Sequence, residues 1–567
     1  MIKKLSLPFL LLCVFALVGC DKEMAPLTAD YFTVNPSPLE AKGGLVNATV
    51  TGTFPEKYFN KNAVVTVTPY MVYAEGETAG TPFVYQGEKV QGNDQTISYK
   101  AGGVITMPVA FKYIPEMQKS ALYLAFNIVQ GKNTYELPRV KVAEGVLATA
   151  ELADAGTVAP AIAADKFQRI IKETYSADIK FLIQQTNIRA KELKSEEMAA
   201  LNEQLRVANT TENLEIDNVN ISSYASPDGN VDLNTRIAEG REANTVKAIQ
   251  KQWKKDKIEA ELTAEFTAED WAGFKELVSA SNIQDKNLIL RVLEMYNDPE
   301  QREREIKNLS SVYGDLAEEI LPQLRRSRIT ASINVIGKSD EEIAALAQSN
   351  PAALTVDELL YAAAIEKNPA AKSAIYKKVT EIYPEDYRGY NNVGMMAYKA
   401  GNYEVAARLF DRAAQLAPES AEVVMNQGLI DLQNGEYNNA AAAFGKAAAA
   451  AAFGKAGQVP EVNEALGVYY IKKGDYNAAV RAFGDAKSNN AALAQIMVND
   501  YNKARTTLAA ISTPDATTYY LLAVLGARTN NEQMVTSNLR QSFRLDANMR
   551  EAAAKDLEFA KFDISAL

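Results

Sequence analysis

Apolar and polar residues alternate along much of the region between residues 31 and 147. Short runs such as Leu45–Thr51, Ala63–Thr68 and Tyr123–Val129 are rich in β-branched and aromatic residues, and clusters of glycine, asparagine and aspartate separate them. Successive side chains of a strand point to opposite faces, so this pattern predicts half-buried antiparallel strands. We therefore predict an N-terminal β-sandwich over residues 31–147, with no motif in it that carries chemistry.

The pattern changes after residues 148–165, a stretch rich in alanine, proline and glycine that we interpret as a linker. From residue 166 to 340, apolar residues recur with a period of two in some segments and of 3.6 in others, which predicts strands and helices in turn. Ile258–Phe266 and Ile329–Val335 alternate strictly, and we expect both to be half-buried strands with extra helical material between them. We predict one α/β domain over residues 166–340.

Helical periodicity fills the remaining region, from residue 350 to 567, and it repeats. Three units carry glycine, tyrosine, alanine and phenylalanine in one register: Gly394, Tyr403, Ala406 and Phe410, then Gly428, Tyr437, Ala440 and Phe444, then Gly467, Tyr476, Ala479 and Phe483. This register resembles that of the tetratricopeptide repeat, a pair of helices of about 34 residues. The resemblance implies an all-α solenoid whose concave surface is built from the first helix of each pair.

The concave surface of such a solenoid is a candidate partner-binding site. The residues expected on it include Arg388, Asn391, Met395, Tyr398, Met425, Leu429 and Leu432. This mixture of apolar and amide side chains suits an extended or helical segment of a partner protein. We expect the partner to be another protein of the cell envelope.

The N-terminus carries a targeting signal. Lys3 and Lys4 precede an apolar run from Leu5 to Val18, which is typical of a secretory signal and is shorter than the roughly 20 residues of a membrane span. The following Gly19-Cys20 completes a Leu-Val-Gly-Cys sequence that resembles the lipobox of bacterial lipoproteins. The resemblance implies removal of residues 1–19, acylation of Cys20 and a lipidated tether over residues 20–30.

Composition excludes several classes of enzyme. The chain has no histidine, and its two cysteines are Cys13, inside the signal, and Cys20. Histidine-based triads, thiol enzymes and the usual zinc and haem sites therefore lack their side chains. We find no catalytic constellation and expect no enzyme activity, metal or cofactor. A net charge of −11 argues against a nucleic-acid partner.

One motif of the α/β region carries candidate binding chemistry. A strand ending near residue 224 is followed by Ser226, Asp228 and Gly229, and then by a helix that bears Asn234 and Arg241. The spacing of the glycine, asparagine and arginine resembles the signature of the OmpA C-terminal-like, peptidoglycan-binding family. Backbone N–H groups at a helix N-terminus and a nearby arginine suit a carboxylate, and a loop carboxylate would pair with an ammonium. In that family the ligand is the diaminopimelate of a cell-wall stem peptide, which carries both charges.

The chain departs from the family pattern within this loop. Ser226 stands where the family has aspartate, and Asp228 lies two residues later. Wall binding and the loss of wall binding therefore both remain open. Arg325, Arg326 and Arg328 precede the last predicted strand, and we expect a solvated turn there.

Taken together, the chain resembles Bacteroides-type lipoproteins that join an OmpA-like domain to tetratricopeptide repeats. The leading hypothesis is a scaffold at the outer membrane, anchored by acyl chains and facing the periplasm, that binds peptidoglycan and recruits a protein partner. The alternative is a component of an assembly or secretion complex whose OmpA-like domain docks protein. A carboxylate-only hydrolase is a weaker third hypothesis. A location on the cell surface is also open, and it would rule out wall binding.

Overall fold

The structure, a computed structural model, describes residues 23–308, 310–452 and 461–567. The chain divides into two compact units. The first comprises the described residues up to Ala164 and from Val379 onward, and the second comprises the described residues between Asp165 and Lys378.

The first unit begins with the β-rich region that the alternating pattern predicts. Its strands are β1 (Phe32–Asn35), β2 (Leu39–Lys42), β3 (Leu45–Phe54), β4 (Ala63–Tyr73), β5 (Gly76–Ala79), β6 (Phe83–Gly87), β7 (Gln95–Ile97), β8 (Gly103–Lys112), β9 (Ser120–Gln130), β10 (Asn133–Glu144) and β11 (Val146–Leu147). One sheet has the order β1-β3-β2-β11, with β8 also paired to β3, and the other has the order β10-β9-β4-β6-β7, with β5 paired to β4. Alternate residues of β3, β4 and β9, such as Val50, Val65 and Leu124, are buried in one hydrophobic cluster.

The segment ahead of β1 already belongs to this β-rich fold. Met24 and Leu27 are buried in its hydrophobic cluster. The Met24 N–H donates to the Tyr135 hydroxyl at 2.9 Å, and the Tyr58 hydroxyl donates to the Ala25 carbonyl at 2.5 Å. The stretch predicted as a tether, residues 20–30, is therefore packed on the strands from Met24 onward.

The second unit alternates strands and helices, as its periodicity predicts. Its elements are β12 (Ile170–Lys180), α1 (Glu196–Thr210), β13 (Leu214–Tyr224), α2 (Val231–Asp256), β14 (Leu262–Thr267), α3 (Trp271–Ala280), α4 (Lys286–Met295), α5 (Pro299–Asn308), α6 (Ser310–Asp315), α7 (Leu321–Leu324) and β15 (Arg326–Ile336). The sheet order is β12-β15-β13-β14, in which β13 and β14 are parallel and β15 is antiparallel to β12 and β13. Three helices follow in the chain: α8 (Asp340–Ser349), α9 (Val356–Ile365) and α10 (Pro369–Ile382).

The predicted strand at residues 258–266 is shorter and more exposed than its alternation suggests. β14 begins at Leu262, and Phe266 is 41 % exposed. The strand lies at the edge of the sheet and pairs only with β13. Between β14 and β15, helices α3, α4, α5, α6 and α7 form the expected insertion around a hydrophobic cluster that includes Phe274, Ile289 and Leu324.

The first unit continues as an all-helical solenoid. Its helices are α11 (Tyr387–Lys399), α12 (Tyr403–Leu416), α13 (Ala421–Gln433), α14 (Tyr437–Ala452), α15 (Glu461–Lys472), α16 (Tyr476–Phe483), α17 (Asn489–Met497), α18 (Tyr501–Ala509), α19 (Ala516–Arg528), α20 (Glu532–Leu545) and α21 (Met549–Lys555). Successive helices from α11 to α20 contact each other in pairs. Gly467 lets α15 approach α16 closely, because a Cβ there would lie 2.4 Å from the Phe483 ring.

Candidate functional site

The concave surface of the solenoid is covered by the protein's own chain. We call residues 148–164 the strap, and we call the solenoid surface beneath them, which includes Asn391, Asn392, Asn426 and Asn490, the groove. The strap contains two short 3-10 turns, Thr149–Leu152 and Ala155–Thr157, and otherwise has no regular secondary structure. These residues were predicted to be a linker, whereas the structure places them as an extended segment bound within the first unit.

Three asparagines hold the strap by its main chain. Asn426 accepts the Ala161 N–H at 2.7 Å and donates to the Ala161 carbonyl at 2.8 Å. Asn392 makes the same two contacts with Ala163, both at 2.9 Å. Asn490 accepts the Asp154 N–H at 3.0 Å and donates to the Asp154 carbonyl at 2.9 Å. A side-chain amide offers one acceptor and two donors, so each of these residues satisfies both polar groups of one peptide residue.

Further polar contacts bind the strap between and beyond these positions. Asn391 also donates to the Ala161 carbonyl at 3.1 Å and accepts a hydrogen bond from Asn426 at 2.9 Å. The Tyr398 hydroxyl donates to the Ala155 carbonyl at 2.9 Å. Burial raises the pKa of Tyr398, so its hydroxyl keeps the proton that it donates.

The buried side chains of the strap are small. Ala150, Ala153, Ala155, Val158 and Ala161 are at most 5 % exposed and lie in the same hydrophobic cluster as the solenoid core. Ile162 points away and is 48 % exposed. The strap therefore buries mainly small groups; Pro160 is also buried, Leu152 packs partly exposed against the same cluster, and Ile162 does not take part.

Salt bridges fix the N-terminal end of the strap. Glu151 pairs with Lys472 at 3.1 Å, and the Thr149 hydroxyl donates to Glu558 at 2.6 Å. Glu558 also accepts Arg528 at 2.6 Å. The strap is thus pinned near α15 and near the C-terminal end of the solenoid.

All seven predicted partner-binding residues lie on α11 and α13 and are buried. Arg388 contacts the Ala164 carbonyl at 3.4 Å and pairs with Asp386 at 2.7 Å. Met395, Met425, Leu429 and Leu432 are at most 4 % exposed, and the last three share the hydrophobic cluster of the strap. Asn391 and Tyr398 make the contacts given above.

Sequence reasoning missed the asparagines that make the most regular contacts, namely Asn392, Asn426 and Asn490. A signal was present, because Asn392 and Asn426 are one repeat of 34 residues apart, each two residues before the repeat glycine. An amide at the same place in successive repeats predicts a ladder of main-chain contacts. The local sequence around these asparagines does not indicate that the strap is the segment they bind.

The second unit holds the other predicted site, in the loop between β13 and α2. Arg241 is 1 % exposed and donates to the carbonyls of Gln185, Tyr224 and Leu182 at 3.0, 2.6 and 3.3 Å. Its guanidinium lies 5.0 Å from the centre of the Phe181 ring. Burial, reinforced by the charge of Arg325, lowers the pKa of Arg241 to about 10, so the group remains a cation at neutral pH.

The carboxylate of this loop is paired with another arginine. Asp228 accepts Arg325 at 2.9 Å, and the two side chains are 16 % and 12 % exposed. Ser226 accepts from Arg325 at 3.1 Å and donates to Asp228 at 2.8 Å. The expectation of a solvated turn at these arginines is wrong, because Arg325 is engaged here and Arg326 pairs with Asp270 at 3.0 Å with both side chains 7 % exposed.

The remaining predicted residues shape the loop. Asn234 is buried and donates to the Gly229 carbonyl at 3.0 Å and to Glu269 at 3.1 Å. Asn230 caps α2 by accepting the Asp232 N–H at 2.8 Å. Ser226, Asp228, Gly229, Asn234 and Arg241 all line one cavity of about 40 Å³. That volume suffices for a few water molecules, since one needs about 10–15 Å³.

Two predictions concern the membrane. Cys20, the predicted acylation site, lies outside the described residues. Within the part of the chain that the structure describes, no helix combines the length and the apolar character needed to cross a bilayer.

Comparison with known families identifies the helical repeats. The family model for the tetratricopeptide repeat matches residues 387–420, which cover α11 and α12. A search of the curated proteins found no match.

Several solved structures match part of this chain. A tetratricopeptide repeat protein from Parabacteroides merdae is 15 % identical, and the match covers 39 % of this chain and 90 % of that one with a TM-score of 0.29. PilF of Pseudomonas aeruginosa is 16 % identical over 40 % of this chain and 99 % of that one, with a TM-score of 0.29. YrrB, described as a repeat protein with an unusual peptide-binding site, is 20 % identical over 32 % and 98 %, with a TM-score of 0.24.

The multidomain prediction with a C-terminal tetratricopeptide solenoid is confirmed by the family match and the helices. The groove of this solenoid holds a segment of the same chain, the strap.

Proposed function

We propose that this protein is a non-enzymatic, lipid-anchored scaffold of a bacterial outer membrane, facing the periplasm. Its acyl anchor is Cys20, its second unit is an OmpA-like domain, and its repeats organise protein segments. The strand–helix–strand–helix order from β12 to α2, with the signature loop between β13 and α2, supports the OmpA-like interpretation. The main-chain contacts of the groove support the scaffold role.

Within this scaffold, the OmpA-like domain docks protein rather than cell wall. The observation that carries this choice is the Arg325–Asp228 ion pair at 2.9 Å. A zwitterionic ligand needs a free carboxylate for its ammonium and a free cation for its carboxylate. Here Asp228 is already paired with Arg325, and the Arg241 guanidinium already donates to three main-chain carbonyls. The cavity of about 40 Å³ is also far below the roughly 300–1,000 Å³ of pockets for drug-sized ligands.

Wall binding is the second candidate, and one observation favours it. The five predicted wall-binding residues of this loop and helix line a single cavity, with Gly229 and Asn234 in direct contact. If Arg325 withdrew, its carboxylate partner and the N-terminus of α2 would face the same space.

Sedimentation with purified peptidoglycan separates the two candidates. The protein without residues 1–20 is compared with Asp228→Asn and with a matched control on the first turn of α2, Asp232→Asn, whose side chain is exposed. Docking predicts that all three remain in the supernatant. Wall binding predicts that the parent and the Asp232→Asn control pellet and that Asp228→Asn pellets less, an outcome that would overturn the docking assignment.

The anchor is tested separately in producing cells. A clickable palmitate analogue should label the parent protein, and Cys20→Ser should remove both the label and the recovery in the membrane fraction. Protease treatment of intact cells should leave a periplasmic protein intact. Digestion would place it on the cell surface and would exclude the wall as a ligand.

A further inference from the structure

The strap meets the groove as a bound peptide does. Its contacts are made by side-chain amides of the solenoid to the main chain of Asp154, Ala161 and Ala163. We propose that the strap is an exchangeable internal ligand, and that the groove accepts in its place an extended segment of a partner protein with small side chains at alternate positions. The proposal rests on the scaffold function above and names the chemistry of the partner.

The groove recognises the shape and the main chain of the segment that it binds. Every residue except proline offers the N–H and C=O pair that Asn426 and Asn392 bind, so these contacts do not depend on side-chain identity. Selectivity arises instead from the buried positions. Ala161 and Ala163 are 2 % and 1 % exposed, which leaves no room for a longer side chain, while Ile162 between them is 48 % exposed and unconstrained.

The small side chains also make the strap displaceable. Each buried alanine removes little more than one methyl group from water, so the apolar contribution per residue is small. Covalent attachment supplies most of the remaining stabilisation of the bound strap, because a ligand tethered by a short flexible linker acts at an effective concentration in the millimolar range. A partner segment gains the same advantage once the partner is held elsewhere on the protein or on the same membrane.

The test measures binding of a peptide in trans. The probe is a fluorescein-labelled synthetic peptide of residues 148–165, and the protein is the chain without residues 1–20. Ala161→Asp places a charge at a buried position of the strap and leaves the groove unchanged, whereas Ile162→Asp places the same charge at an exposed position. In fluorescence anisotropy, Ala161→Asp should bind the peptide at least roughly tenfold more tightly than the parent does, and Ile162→Asp should match the parent.

A second substitution locates the peptide. Asn426→Ala combined with Ala161→Asp removes the amide that contacts position 161 and should weaken peptide binding by roughly tenfold. Equal binding by Ala161→Asp and the parent, or binding that Asn426→Ala does not weaken, would overturn the proposal. Circular dichroism establishes that each variant is folded.

A measurement on the unaltered strap covers the case in which Ala161→Asp does not fold. Amide hydrogen exchange of the parent is followed with and without millimolar unlabelled peptide. Exchange within residues 153–163 should accelerate when peptide is present. Unchanged protection would show that the strap stays bound in the groove and would contradict the proposal. Both assays use purified protein in solution, so their outcome is independent of acylation and of wall binding.

Discussion

Arg241→Ala offers a direct test of what this arginine does. A ligand clamp can be removed with little loss of stability, whereas a structural cation cannot. Arg241 is 1 % exposed and donates to three carbonyls, those of Leu182 and Gln185 in the loop after β12 and that of Tyr224 at the end of β13. We therefore expect the substitution to destabilise the second unit even when no ligand is present.

The magnitude follows from these contacts. A hydrogen bond from a charged donor contributes about 1.5–3 kcal/mol. The contacts at 3.0 and 2.6 Å count fully, while the contact at 3.3 Å lies beyond the usual range of about 2.7–3.2 Å and counts little. The cost of burying the charge, visible as a pKa lowered to about 10, offsets part of this gain. We expect a net loss of about 3 kcal/mol in the free energy of unfolding of the second unit.

The assay exploits the placement of the tryptophans. The chain has two, Trp253 and Trp271, and both lie in the second unit. Urea unfolding followed by tryptophan fluorescence therefore reports that unit. With a slope of about 3 kcal/mol per molar urea, the upper end for small proteins, the midpoint should fall by about 1 M.

The matched control is Arg236→Ala, on the exposed face of the same helix. Its effect should stay within about 0.5 kcal/mol. If Arg241→Ala shifts the midpoint no more than Arg236→Ala does, the structural role is refuted and Arg241 is available to a ligand. A large shift would mean that loss of wall binding in an Arg241 variant cannot be ascribed to the ligand, which is why Asp228 is the better probe.

Two further predictions concern the solenoid. Gly467→Ala would place a Cβ 2.4 Å from the Phe483 ring and should lower the free energy of unfolding by about 1–3 kcal/mol, measured by heat or urea. Its control is Gly445→Ala, on an exposed helical face with nothing within 4 Å, which should raise that free energy by about 0.5–1 kcal/mol. A loss of stability at both positions would contradict the packing argument. Burial raises the pKa of Asp556 above its unfolded value of about 3.9, although Tyr520 donates to it at 2.7 Å. The folded state therefore holds a proton on Asp556 at pH values where the unfolded chain has lost it. The free energy of unfolding of the parent, relative to that of Asp556→Asn, should fall as the pH rises from about 4 toward the folded pKa. Denaturant midpoints of the two proteins that move in parallel across that range would exclude this coupling.

The parts of the fold that the sequence predicts well are those determined by neighbours in the chain. The glycine and phenylalanine of each repeat, such as Gly394 and Phe410, pack within one helix pair, so their spacing is fixed and visible. The strands of both units alternate because their side chains alternate between the core and the surface. β14 departs from its pattern since an edge strand has a neighbour on one side only.

The missed contacts join residues that are distant in the chain. Asn392 and Ala163 are 229 residues apart, and Asn490 and Asp154 are 336 apart. No local periodicity records such pairs, so an alanine-rich segment that binds by its main chain looks the same as a linker. Arg325 was missed for the same reason, because its partner Asp228 lies 97 residues earlier.

The packing of Met24 against the β-rich region has a consequence if Cys20 is acylated as we propose. Three residues lie between Cys20 and Met24, and an extended chain covers at most about 3.6 Å for each of the four steps, so the β-rich region would begin within about 14 Å of an acylated Cys20. That reach exceeds the depth of one headgroup layer, about 5–8 Å, by less than about 10 Å. The β-rich region would then begin within about 10 Å of the lipid surface instead of ranging far from it.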